Sequence, residues 1–168
     1  MATSERDTLR HFLAAIAYRA QKALRDAPEH FPDFEPGNRS RTPVQTLRHM
    51  TSLMGYARTH FIGGSYPVRP EPLPTFADEI ARFHEVLGQL GNDLGSSQEL
   101  QGISERQLLL GPLADAMTHV GQLALLRRMA GSPVPPENFV YAEVDQTRLG
   151  TDQSLPARPD LNWPERPD

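Results

Sequence analysis

Apolar residues recur every three or four positions in four separate stretches of the chain. Leu9, Phe12, Leu13, Ile16, Ala17, Ala20 and Leu24 mark the first. Val44, Leu47, Met50, Met54, Ala57 and Phe61 mark the second, and Phe76, Ile80, Phe83, Leu87 and Leu90 the third. In the fourth, Leu113, Met117, Val120 and Ala124 form the apolar stripe. This spacing puts the apolar side chains on one face of an α-helix. It predicts helices over about 4–26, 43–62, 76–94 and 112–130.

Proline placement agrees with this partition. All 16 prolines fall outside 1–27, 44–66, 75–111 and 113–132, four blocks each long enough for a helix of several turns. Start and stop signals refine the ends. Thr42 precedes Pro43 at the head of the second helix, and Gly63 and Gly64 close it. Thr75, with Asp78 three residues on, opens the third. Residues 95–111 read as a linker, the fourth helix opening near Pro112 and closing at Gly131. Two-residue alternation is confined to "FVYAEV" at 139–144. The expected fold class is all-α: a four-helix bundle over 1–135, followed by a proline-rich, extended tail over 136–168 that lies along it or frays at its end. Trp163, the only tryptophan, is expected to anchor that tail.

A chain of 168 residues, 38% apolar, builds one ordinary core. The formal net charge is −4 and the basic residues are scattered, unlike the concentrated positive stripe of a nucleic-acid groove. No apolar run approaches the ~20 residues that span a bilayer, and the N-terminus lacks a signal-peptide pattern. A cytoplasmic location is therefore expected, with neither nucleic acid nor membrane as partner. The chain has no cysteine, so a metal would be held by histidine, carboxylate and water.

The fourth helix carries the candidate chemistry. Asp115, His119 and Gln122 lie within about 60° of one another around its axis. Ligands at i and i+4 on one helix can hold a single ion when a third arrives from a facing helix. The second helix offers His49 and His60, but these lie ~16 Å apart along its axis, so only one can join Asp115 and His119. Two histidines and a carboxylate suit zinc, nickel or iron(II). Without an ion, a His119–Asp115 pair is a candidate for acid–base chemistry. His11, His30, His60 and His84 read as structural or solvated, and Arg128 as an ion-pair or helix-capping residue.

"THVGQLALLRRMAGSPVP" resembles the fourth-helix signature of the DinB/YfiT-like superfamily of metal-dependent enzymes, at His119, Gly121, Gln122, Arg128, Gly131 and Pro133. "TPVQTLRHMTSLMGYARTHF" similarly resembles the family's second helix, with His49 at its histidine position. The resemblance spans about residues 5–135. It implies an up-down-down-up bundle, commonly a homodimer. A divalent ion would be held by one histidine of the second helix and two ligands of the fourth, here His49, Asp115 and His119. Asp115 replaces the family's first helix-four histidine, and Val120 its usual arginine. Relatives include thiol-dependent transferases. With no cysteine in the chain, the implied thiol would be a small-molecule cosubstrate. The expected function is thus metal-dependent S-transfer or small-molecule hydrolysis, with Tyr56 and Gln122 as pocket candidates. The alternative is a non-catalytic bundle that binds a ligand or partner and keeps a degenerate metal site.

Overall fold

A computed structural model describes residues 4–163. It is all-helical, and the described residues include no strand, only one isolated bridge between Glu137 and Pro159. Three 20-residue helices come first: α1 (Glu5–Leu24), α2 (Pro43–Ile62) and α3 (Phe76–Gly95). Each begins with a reciprocal capping box, Ser4 with Asp7, Thr42 with Gln45, and Thr75 with Asp78. These pairs satisfy amide groups that the first helical turn leaves without partners. Both α1 and α2 pack on α3 and on the last helix, so α1 and α2 stand diagonally across the bundle. Leu13, Ile16, Leu47, Met54, Phe83 and Leu87 are fully buried between them.

Part of the expected linker before the last helix is itself helical. A short α4 (Glu105–Leu108) leads into a turn at Leu109–Leu113, the backbone kinks there at Gly111, and α5 (Ala114–Met129) follows. Ser104 and Gln107 form a fourth capping box, which "GPL" downstream obscures in the sequence. Pro112 has no N–H to donate, and a proline disfavours helical geometry in the residue before it. Gly111 takes up that conflict at φ −87°, ψ −107°. The buried stripe of α5 is also displaced. It runs through Ala116, Val120, Leu123 and Arg127, whereas Met117 and Ala124 are half-buried. "FVYAEV" forms no strand, and Phe139–Tyr141 is a 3₁₀ turn.

The segment after α5 is pinned to α1 and α3. Glu137 accepts a hydrogen bond from the Tyr18 hydroxyl at 2.8 Å and pairs with Lys22 at 2.7 Å. Leu149 seats against Gly91, where any Cβ would lie 2.3 Å from its Cδ1. Trp163 is buried. Arg25 reaches the Gln153 carbonyl at 2.7 Å.

His84 ties this segment to two helices. Its Nδ1–H donates to the Leu149 carbonyl at 2.8 Å, and its Nε2 lies 3.1 Å from the Gln21 side-chain amide. Burial pushes its pKa below the ordinary histidine value, against the pull of the Leu149 carbonyl. The unfolded chain then binds a proton that the folded chain resists. Stability from this source is full above about pH 6.5 and falls as pH drops through that value toward the folded pKa. Urea midpoints measured between pH 7.5 and 5.5 should decline, and His84→Gln should flatten the decline. An unchanged slope in the variant would locate the titration elsewhere.

Candidate metal centre

His49 stands on α2, and Asp115, His119 and Gln122 on α5, across the contact between those two helices. One ligand atom from each of His49, Asp115 and His119 lies within 4.8 Å of the other two. This group could hold a metal ion. Ligands on a ~2.0–2.1 Å sphere sit about 3.0–3.4 Å apart, so side-chain shifts on the order of 1 Å close the set. His119 Nε2 and Asp115 Oδ1 are already 3.3 Å apart. The two imidazoles meet edge to face, with ring centroids 4.7 Å apart and an interplanar angle of 84°.

Gln122 determines which nitrogen of His119 faces the site. Its Oε1 lies 2.6 Å from His119 Nδ1, and with Nδ1–H donating there, Nε2 is the nitrogen that faces Asp115 at 3.3 Å. A proton on Nε2, or a cation ligated by both groups, would bridge that contact. Metal-bound histidines commonly donate their second ring N–H in this way, which fixes tautomer and orientation. His119 is buried, while Asp115 is exposed. Burial first, then the Arg41 guanidinium and the neighbouring His119 imidazole, push the His49 pKa below the ordinary histidine value, against the pull of Asp115. A neutral imidazole is the ligating form. The donor set, two imidazole nitrogens and one carboxylate oxygen, fits a divalent ion of the zinc, nickel or iron(II) class.

The remaining histidines lie elsewhere. His60 Nδ1 donates to the Gln101 carbonyl at 3.0 Å, and His30 Nε2 to the Ala130 carbonyl at 3.2 Å. Tyr56 is half-exposed and packs edge-on against His60, about 10 Å along α2 from His49. It is therefore not among the groups brought to the site, whereas Gln122 is. Asp115 lies in the first turn of α5, which the kink at Gly111 separates from α4. The sequence reading missed Glu79 and Arg127, which are buried charges without any local signal. Glu79 accepts from Arg48, Arg82 and the Leu73 amide, and so fixes the loop between α2 and α3 beside His49.

No family profile, curated protein or solved structure matches the chain. Among the described residues, no helix is long and apolar enough to cross a membrane.

Proposed function

We propose that the protein is a metal-dependent enzyme of the DinB type that acts on a small molecule, by S-transfer from a thiol cosubstrate or by hydrolysis. The observation carrying this reading is the convergence of His49, Asp115 and His119 within 4.8 Å, with Gln122 holding the second nitrogen of His119. A divalent ion bound there would supply Lewis acidity and lower the pKa of a bound water or thiol to near neutrality. The two imidazoles provide neutral donors, and Asp115 provides one negative charge to offset the ion. Because Asp115 is exposed, the group opens to solvent on its side. Three protein ligands leave coordination positions for water and substrate, the pattern of catalytic rather than structural sites. The chain has no cysteine, so the thiol of an S-transfer is brought by the cosubstrate. Helix-four similarity to the DinB/YfiT-like signature supports the same reading.

Elemental analysis of protein prepared without affinity tag or chelator tests the proposal. About one nickel, zinc or iron per chain is expected, and cobalt(II) loading should give the visible bands of a site with nitrogen and oxygen ligands. Absence of metal, even after dialysis against each ion, would overturn it. A second reading follows from the 3.3 Å His119–Asp115 contact, an acid–base pair that works without an ion. Activity unaffected by chelators would favour that pair.

A further inference from the structure

The α2–α3 loop, "GGSYPVRPEPLPT", has no regular structure, yet it is held at several points. The Tyr66 ring lies on Gly55, where a Cβ would come within 2.3 Å of it. The Pro67 carbonyl accepts from Ser52 Oγ at 2.8 Å, and the Glu71 carbonyl from Arg82 Nη1 at 2.8 Å. The Leu73 amide donates to Glu79 at 2.9 Å, and Pro70 is buried. Four prolines in eight residues, 67–74, fix φ along the same stretch. The loop is thus set in place before any ligand arrives, which lowers the ordering cost of binding.

This fixed loop, Arg41 and the first turns of α2 line a half-open cavity of about 580 Å³ whose wall includes His49. That volume lies within the range of small-molecule sites. Arg41 and Arg48, from the head of α2, and Arg69, from the loop after it, all line it. Arg48 is engaged by buried Glu79. Arg41 and Arg69 are exposed, and among the described residues neither makes a hydrogen bond or ion pair. Glu71 is the only carboxylate in the lining. Arg41 is near enough to His49 for its charge to act on that imidazole.

From this juxtaposition we infer that the cavity binds the acidic group of the substrate. A carboxylate or phosphate is held by Arg41 and Arg69, and the reacting end of the molecule lies at His49. Guanidinium groups match both anions through paired N–H donors. The substrate class is therefore a small organic acid or phosphate ester. The position of the reacting end rests on the proposed metal centre, but the anion subsite itself does not.

The test is calorimetric titration with succinate, methylphosphonate and neutral succinamide at constant ionic strength, on zinc-loaded and on metal-free protein. At least one anion should bind and succinamide should not. Arg41→Gln/Arg69→Gln should weaken that binding about tenfold or more, a change of about 1.4 kcal/mol, while zinc stoichiometry stays the same. Preference between the two anions assigns the acid as carboxylate or phosphate. Anion binding equal in the wild type and the double variant, or binding by neither anion, would overturn the inference even with one zinc per chain. Anion binding to a chain that takes up no metal would instead retain the subsite and remove the metal centre.

Discussion

His119→Ala is expected to leave a folded chain unable to hold an ion at the candidate centre. The imidazole would supply one of the three protein donors and is the one whose orientation is fixed, by Gln122 at 2.6 Å. Removing only such an outer partner costs about 10–100-fold in metal affinity. Gln122→Leu should fall in that range, and His119→Ala should exceed it. His49→Ala should match His119→Ala, since either deletion leaves a two-ligand remnant. Competition against a chromogenic chelator measures all three, and far-ultraviolet circular dichroism separates metal loss from unfolding. Stoichiometric metal retained in both histidine variants would show that the ion, if present, binds elsewhere.

The largest expected loss of stability belongs to Arg127→Met. Arg127 is 4% exposed, and its guanidinium donates to the carbonyls of Ala23 at 3.0 Å, Arg25 at 2.9 Å and Ser132 at 2.8 Å. It also reaches the Ser132 hydroxyl at 3.0 Å and the Asp26 carbonyl at 3.4 Å. One side chain thus caps the end of α1 and clasps the turn after α5. Helix α1 leaves its last carbonyls without helical partners, and Asp26 turns the chain away at φ 52°. Methionine fills similar volume but leaves these carbonyls without a donor. Hydrogen bonds to charged groups contribute about 1.5–3 kcal/mol each and are not additive, so a loss of about 3–5 kcal/mol is expected. At about 2–4 °C per kcal/mol for a chain of this size, Tm should fall by roughly 6–20 °C. Arg127→Lys should recover little, because a point charge cannot reach several carbonyls as the planar fork does. A loss below about 1 kcal/mol in urea unfolding would contradict this account.

The first three helices were legible because propensity, capping residues and apolar spacing agree in each. Thr42–Pro43 and Thr75–Asp78 mark starts that the structure places at the same residues. The short α4 ahead of the last helix was hidden by Gly111–Pro112, where the backbone does kink. Ser104 and Gln107 carried the contrary signal. Asp115 and His119 could be found from their four-residue spacing. The choice of His49 over His60 depends on how α2 packs against α5, which spacing along one helix does not contain. Arg127, Glu79 and His84 are polar residues whose burial follows from tertiary partners far away in the chain. Arg41 and Arg69 show the same limit, since charges separate in sequence come to line one cavity only through the pinned loop.

The break at Gly111 has a bearing on how the candidate centre is held. Gly111 lies at φ −87°, ψ −107°, outside helical geometry, so the register of α5 is set by its own packing and not carried over from α4. Ala116, Val120, Leu123 and Arg127 bury one face of α5, and that choice leaves Asp115 and His119 on the side that meets His49. A glycine followed by a proline thus uncouples the ligand-bearing helix from the turn before it.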